Sequence, residues 1–133
     1  MNSFNHYSLG SVGEWMYNWV AGIDMDPAKP GFSHIVLHPV PGGGLTWAKG
    51  SLDTIHGLVE TEWKVAKNGT FTLDVKVPAN TYATLTLPVS AKAKVTEGGV
   101  SAILAKGVSG AGIEKGHPVY QLGSGVYHFK AIP

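Results

Sequence analysis

The sequence predicts a mainly β fold, a two-sheet antiparallel β-sandwich preceded by one amphipathic N-terminal helix. Three observations carry this expectation. A three-to-four-residue apolar period runs once, near the N-terminus. A period of two then takes over, and Gly, Pro and Asn recur between the alternating segments as turn residues.

The helix comes first. Val12, Trp15, Met16, Trp19, Val20 and Ile23 form one apolar stripe, with helix expected roughly from Ser8 to Ala21. Gly22 stands where a left-handed C-terminal cap belongs, and Pro27 and Pro30 prevent the helix from resuming. Asp24 to Gly31 therefore reads as a connector, with Asp24 and Asp26 as turn residues. A lone helix of about 14 residues is marginal in water unless its stripe packs on something. Either it lies on the sandwich or it belongs to a helical domain outside this chain.

The strands follow. From Thr70 to Val77 every odd position is apolar and every even one polar, the pattern of a strand with one wet face. Val59, Thr61, Trp63 and Val65 alternate with Glu60, Glu62 and Lys64, and Lys67-Asn68-Gly69 supplies a hairpin turn between the two. Ala83, Leu85 and Leu87 alternate with Thr84 and Thr86. Further strands are expected near His34–His38, Leu45–Asp53, Lys92–Thr96, Val100–Leu104, Val119–Leu122 and Val126–Lys130. About nine strands without intervening helices argue for a sandwich over βαβ units.

Bulk properties narrow the function. The 133 residues suffice for one domain with a real core. Only 14% are charged, which hints at a face meant to be covered. The net charge is +1 without any Lys/Arg run, which argues against nucleic acid as a partner. Zero cysteines exclude disulfides, thiolate nucleophiles and zinc–cysteine sites, and fit cytoplasm or periplasm without choosing. No signal-peptide pattern opens the chain, and no apolar run reaches the roughly 18 residues of a membrane span.

Certain strings carry a family resemblance. Ser3-Phe4-Asn5-His6-Tyr7-Ser8-Leu9-Gly10-Ser11-Val12-Gly13-Glu14-Trp15-Met16-Tyr17, followed by Val20-Ala21-Gly22-Ile23, is similar to the end of the catalytic barrel in bacterial α-L-rhamnosidases of glycoside hydrolase family 78. So are Pro30-Gly31-Phe32, His34-Ile35, Pro39, the loop from Pro41 to Ala48, Glu62-Trp63, Val119-Tyr120, Gly123-Ser124-Gly125 and Tyr127-His128-Phe129. The resemblance implies that residues 1–30 are the last helix of an (α/α)6 barrel with its connector, and 31–133 the C-terminal sandwich. It also implies an inverting enzyme as parent, using two carboxylates about 6.5–9.5 Å apart. In the family both are glutamates upstream of the Asn-His motif, so this chain is expected to lack them and to catalyse nothing alone.

The same resemblance makes His6 the leading site residue, as a contact to bound rhamnose. A neutral imidazole offers one donor and one acceptor, which suits paired sugar hydroxyls. From the residues alone, His6 reads more readily as a cap or packing residue, and Asn5 as an N-cap or loop-bracing residue with only a weaker claim on substrate. The partner so implied is a rhamnosyl-containing glycan in the intact enzyme. No cofactor is implied.

Other candidates have structural explanations. Glu60 and Glu62 lie about 7 Å apart on one strand face, tempting for an inverting pair, but alternation puts both on the wet side. Glu14 sits near the helix N-terminus, where its charge meets the dipole favourably. His34 and His38, about 13 Å apart along a strand, cannot grip one metal ion. Gly42–Gly44 lacks the Gly-Lys-Ser/Thr of a phosphate loop. Trp15 and Trp19 belong to the helix stripe, and Trp47 and Trp63 read as sandwich core. Two rival readings stand beside the rhamnosidase one: a self-sufficient carbohydrate-binding module, and a protein-interaction domain that self-associates through the helix stripe.

Overall fold

The computed structural model describes residues 22–25, 34–41 and 44–133. The expected helix, Asn5, His6, Glu14, Trp15, Trp19, Asp26 and Gly42–Gly43 lie outside these described residues. Eleven strands run through them: β1 Ile23–Met25, β2 His34–Leu37, β3 Trp47–Thr54, β4 Gly57–Val65, β5 Phe71–Val77, β6 Tyr82–Thr86, β7 Lys94–Glu97, β8 Val100–Ser101, β9 Val108–Glu114, β10 His117–Leu122 and β11 Gly125–Ile132. One sheet has the order β1-β2-β6-β10-β9, the other β3-β4-β5-β11-β7-β8.

The alternation read from the sequence decides what lies between the sheets. Phe71, Leu73, Val75 and Val77 of β5 are buried, as are Val59 and Trp63 of β4 and Ala83 and Leu85 of β6. They meet Ile35, Leu37, Leu122, Phe129 and Ala131 in one core drawn from both sheets. Trp63 is its largest fully buried side chain, its ring centroid 6.2 Å from that of Phe71. Burying such an aromatic removes some 150–250 Å² from water, and burial of this kind is the main force holding the two sheets together. The β4–β5 hairpin closes over Lys67-Asn68-Gly69, where Gly69 takes a φ of +88° and Asn68 Oδ1 accepts from the Thr70 amide at 3.0 Å.

Four expectations need correction. The sandwich is not wholly antiparallel, because β2 and β6 pair in parallel with His34 opposite Tyr82 and Leu37 opposite Leu85. Parallel neighbours need a long crossover, and the β3–β5 meander in the opposing sheet supplies it. The stretch from Asp24 is not purely connector. Ile23–Met25 pairs with β2, with Asp24 opposite Val36, so sheet structure begins upstream of residue 31.

Val100–Leu104 is not one strand. β8 stops at Ser101, and Ala102–Leu104 turns as a 3-10 helix that buries Ala102 while exposing Ile103 and Leu104. The fourth correction is Trp47, which is not core: it is 58% exposed. Trp47 shares its parity on β3 with Lys49, Ser51 and Asp53, all exposed, whereas Ala48 is the buried neighbour. The apolar character of the indole does not override the pleat.

The sequence expected no strand at Val108–Glu114. Gly110 and Gly112 suppress β propensity there. The β9–β10 register also shifts, from Tyr120 opposite Ala111 to Gln121 opposite Ser109, so Gly110 is the extra residue of a bulge.

Candidate functional site

Each sheet has an outer face, and polar chemistry among the described residues collects on both. On the β1–β9 sheet, parallel pairing brings His34 of β2 beside Tyr82 of β6, with ring centroids 4.4 Å apart and planes 14° from parallel. Cross-strand register then places Thr84 opposite Gln121. The Thr84 hydroxyl donates to Gln121 Oε1 at 3.1 Å, which uses its only proton. His34 Nε2, 2.7 Å from the same hydroxyl oxygen, must therefore be the donor in that contact. A chain of one imidazole, one hydroxyl and one amide thus runs across three strands. At the start of the same sheet, His38 Nε2 lies 3.8 Å from Asp24 Oδ2. His34 and His38 therefore serve different partners.

The other outer face is a lattice of alternating charge. Lys49, Glu62 and Asp74 stand in one cross-strand row, continued by His128, and Ser51, Glu60 and Lys76 stand in the next. Opposite-charge neighbours such as Lys49–Glu62 and Glu60–Lys76 are the ordinary stabilising pairs of an exposed sheet, about 0.2–1 kcal/mol each. Asp74 Oδ1 lies 2.7 Å from His128 Nδ1, and Glu97 Oε2 accepts from the His128 amide at 2.9 Å. Glu60 and Glu62 are on the wet face, as their alternation required. Each is balanced by a lysine directly opposite, an arrangement suited to a solvated structural role.

Two buried tyrosines hold their protons above the ordinary tyrosine range. Desolvation raises both Tyr120 and Tyr127, and the charge of Glu97 adds to the effect at Tyr127. The Tyr127 hydroxyl bonds the Gly123 carbonyl of a turn, and the Tyr120 ring stacks on Phe129 in the core, contacts that suit a structural role.

Beyond the lattice, at the end of the sheet near the β4–β5 turn, lies a groove of about 630 Å³ lined by Thr46, Trp47, Glu62, Lys64, Thr70 and Thr72, with Val65 and Ala66. Sequence reasoning missed it because it assigned Trp47 to the core. The corrective signal was already present in the polar residues that share the parity of Trp47 along β3. The His34–Tyr82–Thr84–Gln121 arrangement had no such signal, since it depends on a parallel pairing between strands far apart in the chain.

Comparison with known proteins gives a consistent result. Residues 22–102 match the family model described as the bacterial alpha-L-rhamnosidase C-terminal domain. An alpha-L-rhamnosidase of Streptomyces avermitilis is 39% identical over 129 residues, covering 97% of this chain and 12% of that protein. One from Formosa agariphila is 43% identical over 88 residues, covering 66% of this chain and 9% of its own length. The solved alpha-L-rhamnosidase from Dictyoglumus thermophilum superposes with a TM-score of 0.80 at 31% identity, over 93% of this chain and 14% of that one. The Streptomyces avermitilis enzyme complexed with L-rhamnose superposes with a TM-score of 0.76 at 37% identity, over 98% of this chain and 12% of that one.

Proposed function

The chain belongs to the bacterial α-L-rhamnosidase C-terminal domain family, and from that premise we propose that its sandwich braces an α-L-rhamnosidase catalytic barrel. In this reading the residues ahead of Gly22 supply the last barrel helix, and the C-terminal domain starts with β1 just after Gly22. His6 hydrogen-bonds the hydroxyls of a bound rhamnosyl group, with Asn5 bracing the loop around it. The general acid and base belong to the barrel, so the chain alone hydrolyses nothing.

One observation carries the bracing role. Gly22 is buried with a φ of +78°, and a Cβ there would run into the backbone of His38 and Pro39. Its carbonyl accepts from the His38 amide at 2.8 Å, and Ile23 follows at 1% exposure. The chain therefore enters the sheet through a tight, buried, hydrogen-bonded joint. Such a joint fixes the direction of whatever precedes it, as a brace requires and a flexible tether does not. In the same reading the apolar helix stripe packs against other barrel helices, so self-association is not needed to cover it.

The test uses this chain alone and in place of the matching segment of the Streptomyces avermitilis enzyme. The chain alone should release no phenol from an aryl α-L-rhamnoside, while the chimera should. In the chimera, His6→Ala should lower kcat/KM by about five- to tenfold, the loss of one neutral hydrogen bond of roughly 1–1.5 kcal/mol. Hydrolysis by the chain alone, or a chimera indifferent to His6→Ala, would overturn the reading.

A further inference from the structure

We propose that the groove at Trp47 is a carbohydrate-binding site, taking a pyranose unit of a neutral glycan chain. The argument begins with exposure. Of the two described tryptophans, Trp63 is wholly buried, and Trp47 turns its ring outward from the edge strand of its sheet. An indole left in water keeps apolar area that a bound ligand can cover. Around it the lining mixes apolar surface, shared with Val65 and Ala66, with polar groups: the Thr46, Thr70 and Thr72 hydroxyls, the Glu62 carboxylate and the Lys64 ammonium.

That combination selects the occupant. A protein hot spot built on one tryptophan needs apolar neighbours that extend the dry patch. Here the same face of β3 continues as Lys49, Ser51 and Asp53. A pyranose differs, since one ring face presents C–H groups that pack on an indole while its rim carries hydroxyls. Lys64 donates to such a rim, Glu62 accepts from it, and threonine hydroxyls do either. One carboxylate beside one ammonium leaves little net charge, which favours a neutral sugar over a polyanion. The volume of about 630 Å³ falls within the range of small-molecule sites, with room for more than one sugar ring.

The site is also held in place. Trp47 lies directly opposite Lys64, and Lys64 opposite Thr72, so three lining residues occupy one cross-strand row. Neighbouring strands lie about 4.8 Å apart, so the row spans about 10 Å, enough to underlie a sugar ring. The Val65 amide donates to the Thr46 carbonyl at 2.7 Å, fixing the backbone just before the ring. A rigid backbone of this kind reduces the entropy lost on binding.

The inference is independent of His6 and is tested on the full chain. The probes are two soluble polysaccharides in native affinity gels, a neutral galactomannan and a terminally rhamnosylated arabinogalactan. At least one should retard the protein. Retardation should persist in about 0.5 M sodium chloride, where charge interactions are screened within about 4 Å. Trp47→Ala should weaken it at least tenfold, Trp47→Phe should retain part of it, and both should melt within a degree or two of the parent chain. Glu62→Gln should weaken it less than Trp47→Ala. Retardation by neither polysaccharide, loss of all retardation in salt, or a Trp47→Ala variant that binds as well as the parent would each overturn the proposal.

Discussion

The hydroxyl of Tyr127 occupies the space that a side chain at Gly107 would need. It donates to the Gly123 carbonyl at 2.7 Å, with the Gly107 carbonyl 3.3 Å away, while the Gly123 amide donates to that same Gly107 carbonyl at 2.9 Å. Gly107 takes a φ of +87°, and a Cβ there would collide with the phenol oxygen and crowd two ring carbons. Two turns and one strand are thus tied together around a single buried tyrosine.

That knot predicts an asymmetry between two substitutions. Tyr127→Phe removes one hydrogen bond from the Gly123 carbonyl and should cost about 1–2 kcal/mol. Gly107→Ala must strain a left-handed backbone and displace the ring, and should cost more, about 2–4 kcal/mol. Urea denaturation of both variants measures the order, and the reverse order would show that the ring is easily displaced.

The same tyrosine predicts a pH dependence with a definite sign. Folding raises the pKa of Tyr127 above its ordinary value, through burial first and Glu97 second, and burial raises that of Tyr120. The folded state therefore favours the neutral phenol. Its stabilisation is complete below an unfolded pKa of about 10 and is lost as pH rises through the raised folded values. Stability measured from pH 8 to 12 should stay level up to about pH 9 and then fall. Tyr127→Phe should fall less steeply than the parent, because one of the two linked protons is gone.

The two described tryptophans predict opposite responses to one change. Trp63 lies fully inside the core against Phe71, so Trp63→Ala should cost about 3–5 kcal/mol. Trp47 is mostly in water, and Trp47→Ala should change stability by less than about 1 kcal/mol. Thermal or chemical denaturation of the pair checks this directly. An equally large loss at Trp47 would mean that its ring packs in solution.

These same residues show how far a sequence can be read. Period two was enough for β4, β5 and β6, because each has one dry face and burial enforces the pleat. Hydrophobicity points the other way at Trp47, where the polar residues sharing its side of β3 mark the exposed face. Period two fails at Val108–Glu114, where glycines conceal a strand that exists because β10 offers a hydrogen-bonding edge. The residue type of Asp24 suggests a turn, yet it lies in β1 because β2 lies alongside. The Trp47 groove was therefore illegible until parity was resolved. His6 and Asn5, the residues the resemblance put forward, lie outside the described residues, and their assignment rests on that motif.

The parallel pairing of β2 with β6 also bears on the order in which the chain can fold. His34 and Tyr82 are neighbours in space but about fifty residues apart along the chain, and contacts of that separation close late and slowly. The β3–β4–β5 meander needs only local turns and can form as soon as it is made. During synthesis, β1 and β2 would leave the ribosome with a bare edge and wait for β6 to arrive. Any domain ahead of Gly22 would already be complete by then, so its final docking would be timed by the closing of this ladder.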